Sequence, residues 1–115
     1  MMRRAVHAVR GLATTGQFRA AAAPDGVVRR IIMDNPTKRN ALTLDMYRQL
    51  PRVAAEANGG RVALLEGAGA HFSAGSDISE FASLRADSYQ AADWDAIEVK
   101  AAEALRDLDI PLVAL

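Results

Sequence analysis

Residues 61–77 read RVALLEGAGAHFSAGSD, an apolar run that passes straight into a loop of small residues and stops on an acid. Between Gly67 and Asp77 stand three glycines, three alanines and two serines around a single Phe72. Small side chains let a backbone come close to another surface, and glycine reaches dihedral angles that other residues avoid. That surface is either another part of the protein or a ligand, and the stretch alone leaves both open. Its apolar half predicts a buried strand over 61–66, which places the loop at the strand's carboxyl end.

The flanking sequence alternates. Val27-Val28-Arg29-Arg30-Ile31-Ile32-Met33 is short and β-branched and ends at the turn formers Asp34-Asn35-Pro36, predicting a strand and then a turn. From Thr43 onward, Met46, Tyr47, Leu50, Val53, Ala54 and Ala57 recur at three- and four-residue spacing. This predicts an amphipathic helix capped by Thr43 and ended by Asn58-Gly59-Gly60. Pro51 lies inside it, and a helix-interior proline costs about 3 kcal/mol, so a kink or restart is expected there. Downstream, a short helix is predicted over 77–84 and a longer one over 93–108, with Ile97, Ala101, Ala104, Leu105 and Leu108 on one face. Asp109 to Leu115 opens one more strand.

Strand, helix, strand, helices, strand is an α/β order, which favours parallel strands with helices packed outside. A last strand made only of apolar residues needs neighbours on both edges and cover on both faces. The expectation is therefore a longer fold truncated in or after a β-strand.

The chain has 115 residues, 50% hydrophobic and 24% charged, in keeping with one globular domain. Lys plus Arg and Asp plus Glu both total 14, so no net charge points to a nucleic-acid or anionic-membrane partner. The apolar stretches are too short for a membrane span. With no cysteine there is no disulfide framework, thiol nucleophile or thiolate metal site, and His7 and His71 have no ligand spacing. No metal is expected. The first 23 residues carry Arg3, Arg4, Arg10 and Arg19 and no acid. Such a segment fits a mitochondrial transit peptide or an early start codon in a bacterial gene. The expectation is a basic, disordered extension over 1–24 on a bacterial cytoplasmic protein, with the mitochondrial matrix as the alternative.

Ligands of parallel α/β folds gather beyond the carboxyl ends of strands, where the small-residue loop lies. If a short helix starts at Asp77, the peptide N–H groups of Gly75, Ser76 and Asp77 emerge at its positive end. The Ser76 N–H is then placed to face a carbonyl oxygen that becomes an oxyanion. Phosphate readings fail on spacing: there is no G-x-x-x-x-G-K-[ST], and Gly67-Ala68-Gly69 lacks the third glycine of a dinucleotide fingerprint. Asp77 itself is expected to cap free N–H groups rather than to act as a base. Glu66, Glu80 and His71 are expected to carry no chemistry, and Tyr89 and Trp94 to pack between helices or to line a pocket.

Three stretches taken together resemble the crotonase superfamily, the enoyl-CoA hydratase/isomerase group. They are Asn35-Pro36-Thr37-Lys38-Arg39-Asn40-Ala41-Leu42, then Gly69-Ala70-His71-Phe72-Ser73-Ala74-Gly75-Ser76-Asp77-Ile78, then Ile110-Pro111-Leu112-Val113-Ala114. The likeness runs from about Val27 to Leu115 and implies the N-terminal part of a repeated ββα spiral, with 25–115 an incomplete acyl-CoA domain. It further implies that the Ser76 N–H, presented by Gly75, is one of two donors holding a thioester oxygen. The second donor in the family is a glycine in a turn after the I-P-L-V-A strand, and the acid/base carboxylates also lie in later segments.

By the same likeness, Lys38, Arg39, Ala41 and Leu42, with Ala74, Ser76, Asp77 and Ile78, grip coenzyme A, which enters as part of the substrate and not as a separate cofactor. Full-length relatives form trimers or pairs of trimers, so assembly of this chain is doubtful. Little hydratase activity is expected of the 115 residues alone, because one oxyanion donor is commonly worth roughly 2.7 to 4 kcal/mol of barrier. Two alternatives remain: a non-catalytic CoA-ester binding module, and a structural fragment in which the small residues only serve packing.

Overall fold

The computed structural model describes residues 16–115. Four strands form one sheet in chain order: β1 (Gln17–Ala22), β2 (Val28–Asp34), β3 (Val62–Gly67) and β4 (Leu112–Ala114). Strands β2, β3 and β4 run parallel, and β1 lies antiparallel against β2, with Phe18 opposite Met33 and Ala20 opposite Ile31. Helix α1 (Leu44–Ala57) makes the crossover from β2 to β3. A short helix α2 (Phe81–Leu84) and the long α3 (Ser88–Arg106) lie between β3 and β4. The core forms where α1 and α3 meet the sheet, around Phe18, Ile31, Met33, Met46, Val53 and Ala101. Among the described residues no helix is long and apolar enough to cross a membrane.

Residues 17–22 correct the sequence reading, which assigned them to a disordered extension. They are a paired strand, and Phe18 is only 4% exposed. The Phe18 N–H donates to Gln49 Oε1 on α1 at 2.7 Å, and the Arg19 guanidinium pairs with Asp34 at 2.8 Å. An Ala-rich stretch with one aromatic has weak strand propensity, and the pairing with β2 supplies what the local sequence lacks. The rest of the expected basic extension, residues 1–15, lies outside the described residues.

Helix α1 starts as expected, with the Thr43 hydroxyl accepting the Met46 N–H at 3.1 Å. It does not break at Pro51. That residue sits on the exposed side, while Leu44, Met46, Leu50, Val53, Ala54 and Ala57 anchor the other side in the core. Burial of so many apolar groups outweighs one missing backbone hydrogen bond. Helix α3 begins five residues earlier than its apolar spacing suggested, at Ser88 rather than Asp93. Asp87 accepts the Gln90 N–H at 2.8 Å and Gln90 Oε1 accepts the Ala86 N–H at 2.9 Å, a reciprocal cap written as D-x-x-Q. The segment after the small-residue loop is a 3-10 turn over Ile78–Glu80 followed by α2, rather than one continuous helix.

If β1 belongs to the domain, Phe18→Ala costs about 3 kcal/mol in urea unfolding, the usual loss on emptying a buried aromatic site. A loss below about 1 kcal/mol would return Gln17–Ala22 to the status of a dispensable leader.

Candidate functional site

Two loops at the carboxyl ends of β2 and β3 lie against each other, and Asn40 joins them. Its side chain is fully buried. Asn40 Oδ1 accepts the Asn35 N–H at 2.8 Å, closing its own loop. Its Nδ2 donates to the carbonyls of Ala68 and His71, both at 2.8 Å, in the neighbouring loop. The Asn40 carbonyl accepts from the Ser73 hydroxyl at 2.7 Å. Every polar group of this amide is thus matched, in a left-handed backbone conformation (φ 56°) that asparagine tolerates better than most residues.

The glycines divide between two tasks. A Cβ on Gly67 would collide with the carbonyls of His71 and Phe72 and with Asn40 Nδ2, so this glycine lets the loop fold back on the Asn40 amide. At Gly75 a Cβ would meet nothing within 4 Å, but φ is +92°, so backbone conformation and not crowding asks for glycine there.

Beyond Gly75 the loop pairs with Leu42 as a single parallel bridge. The Leu42 N–H donates to the Gly75 carbonyl at 2.8 Å, and the Asp77 N–H donates to the Leu42 carbonyl at 2.8 Å. Because N–H and C=O of one planar peptide point opposite ways, the Ser76 N–H is turned away from Leu42. It has no acceptor among the described residues.

Asp77 caps the following turn. Its carboxylate accepts the Ser79 N–H at 3.0 Å and the Ser79 hydroxyl at 2.5 Å, and Lys38 Nζ stands 3.5 Å away. The Ser79 hydroxyl does most to hold this carboxyl below the usual aspartate range, with Lys38 adding to it. Glu80 and Glu66 are likewise engaged in structure: Glu80 accepts the Leu44 N–H at 2.8 Å, and Glu66 is forked by Arg30 at 2.8 and 2.9 Å.

A cavity of about 440 Å³ opens between the sheet, α1, α3 and the loop, reaching from Met33 and Leu65 to Phe72, Gly75 and Leu105. At its edge runs a polar chain absent from the sequence reading. Tyr47 Oη and Ser76 Oγ are 2.6 Å apart, Ser76 Oγ donates to Glu98 Oε2 at 3.4 Å, and Trp94 Nε1 donates to the same oxygen at 3.0 Å. An indole N–H only donates, so Glu98 accepts, and the Tyr47 hydroxyl then donates to Ser76. Burial holds that hydroxyl above the ordinary phenol range. Trp94 is 1% exposed, edge-on to Phe81 at 5.4 Å and to Tyr47 at 6.5 Å, whereas Tyr89 is 84% exposed.

Known proteins share this fold. The model of the enoyl-CoA hydratase/isomerase family matches residues 7–115. The chain belongs to that family. Among solved structures it is similar to an enoyl-CoA hydratase/carnithine racemase of Magnetospirillum magneticum, with 31% identity and a TM-score of 0.77 over 84% of this chain and 37% of that one. It is also similar to an enoyl-CoA hydratase/isomerase family protein of Hyphomonas neptunium, with 32% identity and a TM-score of 0.76 over 84% of this chain and 38% of that one. AtuE of Pseudomonas aeruginosa matches at 28% identity and a TM-score of 0.74, over 85% of this chain and 39% of that one. The chain thus corresponds to the N-terminal part of the enoyl-CoA hydratase/isomerase fold and spans under two-fifths of these structures. No curated protein matches it.

All the residues singled out from sequence fall in this one place, because the Leu42–Ser76 bridge zips 38–42 to 74–78. Several of their backbone groups are engaged within the protein. The Ala74 and Asp77 N–H groups are taken up by the Arg39 and Leu42 carbonyls, and both backbone groups of Ala41 and Leu42 are paired inside the protein. What stays available is the Ser76 N–H, the exposed Lys38 and Arg39 side chains, and Leu42 as part of the cavity wall. Ile78 is 75% exposed. Glu98 and Tyr47 were missed as site residues because their only sequence signal is helical spacing, which says nothing of a partner one loop away.

Two measurements test this site. Asn40→Ala strands a buried N–H and two carbonyls, so urea unfolding should show a loss of about 3 kcal/mol, while Asn40→Asp recovers only part of it. For Asp77 the depressed carboxyl stabilises the fold above its unfolded value near pH 4, and that contribution disappears as pH falls through the lower folded value. The stability gap between the native chain and Asp77→Asn should therefore stay level above about pH 5 and close below about pH 4.

Proposed function

We propose that the chain binds acyl-CoA thioesters, with the thioester oxygen accepting the Ser76 N–H. The observation that supports this most is the Ser76 amide: its neighbours on both sides are zipped to Leu42, while it faces the other way without an acceptor among the described residues. A rigid N–H of this kind stabilises charge as it develops on oxygen, since no reorganisation is needed when the reaction occurs. Charge on the thioester oxygen is the enolate form of the acyl group, so holding it acidifies the α-carbon, the step that hydration and isomerisation share.

The rest of the ligand follows from the same surroundings. The apolar cavity behind the loop takes the acyl chain, and the exposed cations Lys38 and Arg39 face the phosphates of coenzyme A as charge-assisted donors. Lys38 exchanges its 3.5 Å contact with Asp77 for a phosphate at small cost, because the pair is loose and the lysine is half-exposed. The reading uses one oxyanion donor, the Ser76 amide, and a single donor also suits a module that binds CoA esters without turning them over.

Calorimetry with butyryl-CoA and with its thioether analogue S-butyl-CoA, which lacks the carbonyl, tests the reading. Butyryl-CoA should bind about tenfold tighter, the worth of one hydrogen bond to a preorganised amide. Equal affinities would remove the Ser76 N–H from the site, and failure of both to bind would remove the acyl-CoA reading altogether.

A further inference from the structure

We infer that Glu98 is a specificity-determining residue which excludes acyl groups carrying a second carboxylate. The inference rests on the acyl-CoA reading and narrows its substrate class to uncharged acyl chains. Glu98 lines the cavity from α3, and it is the one carboxylate among the described lining residues. No lysine, arginine or histidine is in that described lining. Glu98 is half-buried and has no ion-pair partner among the described residues, since Arg85, which lies over the Trp94 ring, is paired with Asp95. Its charge is met only by two neutral donors among the described residues, the Trp94 indole and the Ser76 hydroxyl, both on Oε2. Oε1 has no protein partner among the described residues and remains a spare acceptor.

Glu98 lies within one hydrogen bond of the Ser76 side chain, whose own N–H is the proposed thioester anchor. A short acyl chain running from that anchor into the cavity comes alongside Glu98, since Glu98 both touches the Ser76 side chain and lines the cavity. A neutral chain meets the methylenes and the apolar wall formed by Met33, Leu65 and Leu105. A chain ending in a carboxylate brings a second negative charge to within about 6 Å of the first, with no cation on the described wall to divide them. At that separation and an effective dielectric of about 40 or less, this weakens binding about tenfold or more. Discrimination of this kind works by repulsion, leaving the preferred ligand's own contacts unchanged.

The test compares three acyl groups built on a four-carbon chain by calorimetry on the full chain: butyryl-CoA, succinyl-CoA, and succinyl-CoA methylated at its free carboxyl. Butyryl-CoA and the methyl ester should bind alike, and succinyl-CoA about tenfold more weakly or worse. In Glu98→Gln, which keeps an acceptor for Trp94 Nε1, the deficit of succinyl-CoA relative to butyryl-CoA in the same variant should shrink to within about threefold. Equal binding of all three by the native chain overturns the inference and leaves the acyl-CoA reading standing. So does a deficit that persists in a folded Glu98→Gln. If none of the three binds, the acyl-CoA reading fails and this inference with it. The methyl-ester comparison stands on the native chain alone and does not depend on the variant folding.

Discussion

One buried amide sets the geometry on which the site depends. Asn40 reaches from the loop after β2 to the carbonyls of the loop after β3, and its backbone takes the Ser73 hydroxyl in return. The two loops emerge from adjacent parallel strands, so they start side by side, but adjacency alone would leave them free to splay. A fully satisfied polar group in a dry place is different: it has one arrangement in which nothing is unpaired, and every other arrangement costs the desolvation of several groups. The Leu42–Ser76 bridge is the next link, and the direction of the Ser76 N–H is the last.

Two purposes meet in the small-residue stretch over 67–77. Its first half, around Gly67, is close to protein, since the loop doubles back onto Asn40 where a Cβ cannot fit. Its second half, around Gly75, is open, and there glycine serves a left-handed turn. A composition count does not separate these, because both need the same residue type. Only the identity of what lies opposite decides, and that is a matter of tertiary structure.

Much of the fold was legible. Strands β2 and β3, helix α1 with its Thr43 cap, and the parallel order follow from apolar period and turn formers, and the Asp77 cap follows from its place before a helical turn. What escaped were features carried by partners distant in sequence. Strand β1 has one buried side chain and exists through its pairing with β2. Pro51 is tolerated because the opposite side of α1 is anchored. The Tyr47–Ser76–Glu98–Trp94 chain joins residues from α1, the loop and α3, and no local pattern in the sequence marks the meeting point.

Helix α3 is 19 residues long, yet only Trp94 and Ala101 along it are buried. It is pinned in its first half by Trp94 in an aromatic cluster and in its second half by Ala101 in the core, with Leu105 packed against that core beyond it. A helix fixed at two points can slide or pivot by small amounts without emptying a packed core, as in shear motions. This helix supplies Glu98, Ala101, Ala102 and Leu105 to one side of the cavity. On the proposed reading the acyl chain lies along this lightly anchored wall, and its charge is met by Glu98, which stands between the two anchored points.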